Sequence, residues 1–161
     1  MSRPAKPADT AGDLMVRTAR PDDAETIAAF NVAMARETED RDLDADRVRR
    51  GVRRLMDRPD LGFYLVAQTT DCVVAALMVT YEWSDWRDGC FWWIQSLYVR
   101  PEFRRRGLLR RLYGELVRRA RDDADACGLR LYVEHNNAVA QQAYAALGLT
   151  RTAYAVYETE F

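Results

Sequence analysis

Between Ile94 and Leu112 the chain reads IQSLYVRPEFRRRGLLRRL: a hydrophobic run, a Pro-containing turn, a basic stretch, and a glycine where the pattern predicts a helix to begin. Arg104, Arg105 and Arg106 stand directly before Gly107, Leu108 and Leu109. The first turn of a helix carries N–H groups with no intrahelical partner and the positive end of the helix dipole, a combination that holds an anion. Guanidinium groups add charge-assisted donors in a fork that matches phosphate. A glycine lets backbone come close to a ligand. The chemistry is that of a phosphate or pyrophosphate cradle. It is not a Walker A loop, whose G-x-x-x-x-G-K-S/T pattern is absent, and not a G-x-G-x-x-G dinucleotide fingerprint. The plainer alternative is that these arginines, with Arg110, Arg111, Arg118 and Arg119, are a solvated helix face. A nucleic-acid patch is disfavoured, because no aromatic residues interleave with the arginines.

The elements that must position this cradle follow from periodicity. Leu14–Thr18 reads as a strand. Pro21 opens a helix with Asp22, Asp23 and Glu25 in its first turn and Ile27, Phe30 and Met34 on its apolar face. A second helix over Asp44–Met56 carries Val48, Val52 and Leu55 at helical spacing. Gly62–Gln68, Cys72–Trp83 and Cys90–Val99 read as strands, and the last two form a hairpin across Asp88-Gly89. Pro101 stops the third. A long helix over Gly107–Ala126 carries Leu108, Leu109, Leu112, Leu116 and Val117 on its buried side and ends at Gly128. A short strand over Leu129–Glu134, a helix over Asn137–Leu147 closed by Gly148, and a last strand over Thr150–Phe161 complete the chain. The order β-α-α-β-β-β-α-β-α-β predicts a mixed sheet with helices on its faces.

Two motifs together resemble the GNAT superfamily of N-acetyltransferases. Arg104 and Gly107 match the first and fourth positions of its Arg/Gln-x-x-Gly-x-Gly/Ala cofactor signature, with Leu109 where a small residue is usual. Downstream, Asn137-x-x-Ala140-x-x-x-Tyr144-x-x-x-Gly148-Leu149 is similar to the family's Asn-x-x-Ala-x-x-x-Tyr-x-x-x-Gly-Phe pattern, with Leu149 for Phe. The resemblance covers about Leu14 to Thr159 and extends to a bacterial branch with a Trp-rich hairpin.

The resemblance implies an α/β fold of GNAT type: a mostly antiparallel mixed sheet, a splayed central strand pair, and helices on both faces. It implies acetyl-CoA as cofactor, its pyrophosphate on Arg104 to Leu109 and its pantetheine arm pairing with the backbone of Leu97, Tyr98 and Val99. A backbone N–H near Leu97 would polarise the thioester carbonyl. A primary amine would attack directly, giving a tetrahedral intermediate that collapses to amide and CoA thiolate. Asn137 resembles a contact to the cofactor arm, and Tyr144 resembles the general acid that protonates the departing sulfur.

The general base is open. Where some relatives carry a glutamate this chain has Tyr132; Glu134 lies on the same strand face. Glu37 and Glu39 follow the first helix, in a region that lines the acceptor groove in the family. Glu82, at the end of the long strand among aromatics, ranks first. His135, the only histidine, reads as a surface or capping residue. Trp83, Trp86, Trp92 and Trp93 all fall in one predicted hairpin, with Trp92 and Trp93 on opposite faces. They suit cross-strand packing, or an acceptor pocket with cation–π contact to an amine. Of Gln95 and Ser96, one should face inward and need a polar partner.

Bulk properties limit the rest. The chain has 161 residues, 48% hydrophobic and 30% charged, with net charge −1, so no global charge pulls it toward nucleic acid or membrane. No apolar run spans a bilayer. Residues 1–13 lack a signal-peptide core and read as a loose tail before one acyl-CoA N-acyltransferase domain over 14–161, and the cytoplasm is the expected location. Cys72, Cys90 and Cys127 have no metal or disulfide spacing and read as buried free thiols. The expected activity is acetyl transfer to a small-molecule or peptide amine. The alternative is a non-catalytic acyl-CoA-binding regulatory module on the same fold. An open sheet edge invites pairing, so a homodimer is expected.

Overall fold

The computed structural model describes residues 14–161, and the N-terminal tail expected over 1–13 lies outside the described residues. Strand β1 (Met15–Thr18) leads through a 3-10 turn (Pro21–Asp23) into helix α1 (Ala24–Glu39) and then α2 (Ala45–Met56). Strands β2 (Gly62–Gln68), β3 (Val73–Ser84) and β4 (Gly89–Val99) come next. A second 3-10 turn (Pro101–Phe103) precedes α3 (Leu108–Asp122), β5 (Ala126–Leu131) and α4 (Ala138–Ala146).

The five strands form one sheet in the order β1-β2-β3-β4-β5. Neighbours are antiparallel except β4 and β5, which run parallel. Side-chain alternation divides the apolar residues between two cores. Tyr64, Val66 and Tyr98 pack with Ile27, Phe30, Val52 and Leu55 of α1 and α2. Leu65, Leu77, Val79, Trp92 and Ile94 pack with Leu108, Leu112 and Leu116 of α3 on the opposite face. Leu112 and Leu116 are fully buried, worth roughly 2 kcal/mol each in removed apolar surface. The sheet is thus of the expected class, with helices on both faces.

Asp23 is expected to serve the helix dipole, yet it is the one buried charged residue among those described. It accepts from Arg17 Nη1 at 2.6 Å and Nη2 at 3.0 Å, and from the Arg20 backbone N–H at 2.6 Å. This ties the start of α1 to β1.

Several expectations are corrected. The long helix ends at Asp122 rather than Ala126, because Asp123 caps a turn: its Oδ1 accepts from the Asp125 N–H at 2.9 Å and its carbonyl from Ala126 N–H at 3.3 Å. The following strand therefore begins at Ala126 and stops at Leu131, instead of running from Leu129 to Glu134. Gly128 is inside it rather than at a helix end: a Cβ there would lie 2.8 Å from Phe91 Cε1. The last strand expected over Thr150–Phe161 does not form, and Tyr154, Val156, Tyr157 and Phe161 are exposed. Alternation alone does not make a strand: its N–H and C=O groups must pair with a neighbour, and none of residues 150–161 pairs with the sheet. Finally, Cys72, Cys90 and Cys127 are free but half-buried rather than buried.

Candidate active site

Strands β4 and β5 begin side by side and then part. Their pairing runs from Cys90 opposite Ala126 to Ile94 opposite Leu131. Strand β4 continues to Val99 with β3 on its other edge, Leu97 opposite Leu77 and Val99 opposite Ala75. From Gln95 to Val99 the edge of β4 that faced β5 carries no strand. Its backbone groups can take an extended ligand as an added strand, the way a sheet edge takes a peptide. This is the splay expected at Leu97, Tyr98 and Val99.

That open edge leads directly to the arginine loop. Gly107 stands at the N-cap of α3 with φ 77°, a left-handed conformation that suits glycine. Arg105 is also left-handed, with φ 62°. Successive backbone N–H groups in such a turn can line an anion-binding concavity. The first helical hydrogen bond runs from Arg111 N–H to the Gly107 carbonyl at 3.1 Å, which leaves the N–H groups of Leu108, Leu109 and Arg110 without intrahelical partners. Leu108 contributes backbone only, since its side chain is buried in the α3 core. Leu109 is half-exposed on the first turn, and Arg105 and Arg106 are exposed. Arg106 lies over the Phe103 ring, its Cζ 5.3 Å from the centroid.

Arg104 is placed differently. Its Nε donates to the Val99 carbonyl at 2.8 Å, and its Nη2 donates to Glu37 Oε2 at 2.5 Å. Tyr98 donates its hydroxyl to the other oxygen of Glu37 at 2.8 Å, and the Arg104 guanidinium sits 5.4 Å over the Tyr98 ring. Glu37, expected after the first helix, lies in the last turn of α1 and is joined to the arginine loop.

Asn137 and Tyr144 are both carried by α4. The Asn137 Oδ1 caps the helix by accepting from Ala140 N–H at 3.0 Å, leaving its amide nitrogen for other partners. Gly148, at φ 87°, closes the other end, with Leu149 N–H bonding the Tyr144 carbonyl at 3.1 Å. Burial pushes the Tyr144 hydroxyl above its ordinary pKa, so it stays protonated through neutral pH.

Glu82 stands apart from the open edge of β4. It lies opposite Phe91, and Leu97 is six positions further along β4, roughly 20 Å at about 3.3 Å per residue. Its carboxylate pairs with Arg130, whose guanidinium lies 3.6 Å from the centroid of the Phe91 ring. Glu134 accepts from Asn136, and the His135 carbonyl accepts from Gln141 at 2.8 Å.

The register shifts between Met78 and Val79, whose partners are Ser96 and Ile94, so Gln95 is unopposed in a bulge where β4 leaves β5. Gln95 donates to Thr80 Oγ1 at 2.8 Å and accepts from the Tyr132 hydroxyl at 3.0 Å. Tyr132 also packs on Trp93 with ring centroids 6.0 Å apart. The Trp93 Nε1 is buried without a hydrogen-bond partner among the described residues. Trp92 faces the other way into the α3 core, edge-on to Phe63 at 5.2 Å. Trp83 and Trp86 are exposed. Thr80 had no sequence signal, because nothing in an alternating pattern announces a bulge.

Comparisons with known proteins identify what this geometry belongs to. Residues 25–149 match the model of the acetyltransferase (GNAT) family. The chain belongs to that family, and its class of chemistry is acyl transfer. A possible acetyltransferase from Clostridium difficile 630 is 43% identical, with a TM-score of 0.87 over 92% of this chain and 97% of that one. Two more distant structures share the fold. An aminoglycoside N-acetyltransferase in complex with CoA has 13% identity and a TM-score of 0.76, over 91% of this chain and 94% of that one. A ribosomal-protein-alanine N-acetyltransferase from Brucella melitensis biovar Abortus 2308 has 14% identity and a TM-score of 0.72, over 92% and 99%. No curated protein sequence matches the chain. Among the described residues, no helix is long and apolar enough to cross a membrane, and no group of three or more His, Cys, Asp or Glu side chains is placed to hold a metal ion.

Proposed function

We propose that the protein transfers the acetyl group of acetyl-CoA to a primary amine by direct attack, with no acyl-enzyme step. The observation that carries this reading is the continuity of the unpaired β4 edge, Gln95–Val99, with the concavity at Arg105–Leu109. One holds an extended amide-bearing arm and the other a pyrophosphate, in the order those groups occur along CoA. Acetyl-CoA supplies the activated thioester; the residues of this chain bind, orient and donate.

Backbone N–H groups of the free edge near Leu97 hydrogen-bond the carbonyl that becomes anionic as the amine adds. The Asn137 amide nitrogen contacts the pantetheine arm. Tyr144, protonated at neutral pH, donates its proton to the leaving thiolate, and the proton that the attacking nitrogen sheds on becoming an amide returns to the tyrosinate through water. The amine enters by the face of Trp93, Gln95 and Tyr132, where the aromatic rings and the Gln95 carbonyl oxygen suit an amine. The position of Glu82 opposite Phe91 argues for a part at the far end of an acceptor, holding Arg130, rather than for contact with the amine. The acceptor class is a small-molecule or peptide amine, and the open edge of β5 supports a homodimer, which light scattering at micromolar concentration tests.

A thiol-release assay against a panel of amines tests the activity. Tyr144→Phe should lower kcat about 100-fold, in the usual range for a lost general acid, with little change in CoA binding by calorimetry. An unchanged kcat with a good acceptor would remove Tyr144 from the chemistry. CoA binding without release of thiol for any amine would favour a regulatory binding module.

A further inference from the structure

We propose that Glu37 is a positioning residue that locks the pyrophosphate loop in its binding shape, with Arg104 as the strut between them rather than as a phosphate ligand. The inference rests on the reading of that loop as the CoA site, and it goes beyond it by assigning roles to Glu37, Tyr98 and the first arginine of the motif.

Two of the five N–H donors of Arg104, on Nε and Nη2, are engaged inside the protein. Its Nε is taken by the Val99 carbonyl at 2.8 Å and its Nη2 by Glu37 at 2.5 Å. The ring of Tyr98 lies beneath its guanidinium. Glu37 is in turn held by the Tyr98 hydroxyl at 2.8 Å. Tyr98 is buried against Phe30 of α1, with ring centroids 5.1 Å apart. The last turn of α1, the end of β4 and the start of the loop are thereby joined in one closed set of contacts.

The next residue in the chain is strained. Arg105 is left-handed without being glycine, a conformation that costs on its own and persists only where its surroundings over-determine it. The second bond of the 3-10 turn, Arg104 N–H to the Pro101 carbonyl at 3.2 Å, fixes Arg104 from the chain side. The Glu37 contact fixes it from the side-chain end. With both ends held, the backbone from Arg104 to Gly107 has little freedom except the turn that presents the N–H groups. Arg104 itself holds the Glu37 carboxyl below its ordinary range, helped by the Tyr98 hydroxyl and opposed by desolvation, so the contact is ionised throughout neutral pH.

The test compares wild type with Glu37→Ala and Glu37→Gln. In the free protein, hydrogen exchange of the amides from Phe103 to Leu109 should quicken in Glu37→Ala and return part of the way toward wild type in Glu37→Gln, whose one amide oxygen can still accept from Arg104 while its NH2 donates to the Tyr98 hydroxyl oxygen. CoA dissociation constants by calorimetry should rise about tenfold for Glu37→Ala and by less for Glu37→Gln. In turnover the loss should fall on KM for acetyl-CoA rather than on kcat. Glu37→Ala that binds CoA as tightly as wild type, or more tightly because Arg104 is released to reach a phosphate, would overturn the proposal. If wild type bound no CoA, the proposed function would fail, and the exchange of the loop amides in the two variants would still decide for or against the lock. If Glu37→Ala does not fold, Glu37→Gln and Tyr98→Phe carry the same comparison.

Discussion

Arg105 concentrates a conflict between stability and binding in one residue. Its side chain is exposed, and its φ of 62° is unfavourable for any residue with a Cβ. Left-handed backbone costs an L-residue on the order of 1–2 kcal/mol, a cost glycine escapes. Arg105→Gly should therefore raise the unfolding free energy by about 1 kcal/mol in urea titrations. The same change removes a charge-assisted donor beside the N–H groups of the α3 start, so CoA affinity should fall about tenfold. A variant that is less stable and binds equally well would show that neither the strain nor the cation matters there. The residue types in this loop suggest an anion site from sequence, because arginine and glycine at a helix start suit one. The part played by each arginine was not readable. Arg104, Arg105 and Arg106 are equivalent as letters, and only the fold puts Glu37, remote in sequence, against the first of them.

At the scale of the element, β5 decides where the sheet opens. Its register with β4 depends on Gly128, opposite Phe91, where an added Cβ would lie 2.8 Å and 3.1 Å from two ring atoms. Arg130 covers the same ring, so the ring has little room to yield. Gly128→Ala should destabilise by about 1–3 kcal/mol through overpacking. Gly51, in α2 with nothing within 4 Å of a Cβ, gives the control: Gly51→Ala should stabilise by roughly 0.5–1 kcal/mol through helix propensity. Equal effects at the two sites would remove the packing argument. The same strand marks the limit of what periodicity tells. Elements with a full apolar stripe or a clean alternation, such as α3 and β2–β4, were legible from sequence. β5 is half-buried throughout, and its start depends on a side chain–backbone bond at Asp123 that pattern does not encode. Glu82 shows the same limit. Its type and strand were right for a base, but its register, opposite Phe91 and distant from Leu97, depends on hairpin pairing and a bulge.

For the whole molecule, the net charge of −1 leaves no strong self-repulsion at neutral pH, so acid sensitivity must come from individual carboxyls. Asp23 and Glu115 are both held low. Burial pushes Asp23 up, but the bonds from Arg17 and the Arg20 N–H outweigh it and leave the carboxyl below its ordinary range. Arg118 and then Arg119 hold Glu115 down to about 2. A carboxyl with a folded pKa below its unfolded value stabilises fully above the unfolded pKa, about 4, and loses that contribution as pH falls through the folded one. Stability in urea should therefore be flat from pH 8 to pH 5 and fall below pH 4. Asp23 should dominate, because its side chain and that of Arg17 are only 10% and 13% exposed. Asp23→Ala leaves the half-buried Arg17 with only Gln68 Oε1 and the Thr18 carbonyl as acceptors, at a cost of about 2–3 kcal/mol at pH 7. Because wild type loses the ionised carboxylate in acid while the variant has none to lose, the gap between them should narrow from pH 4 to pH 2. A gap that stays constant over that range would mean that Asp23 acts by accepting the Arg20 N–H at the start of α1, independently of its charge.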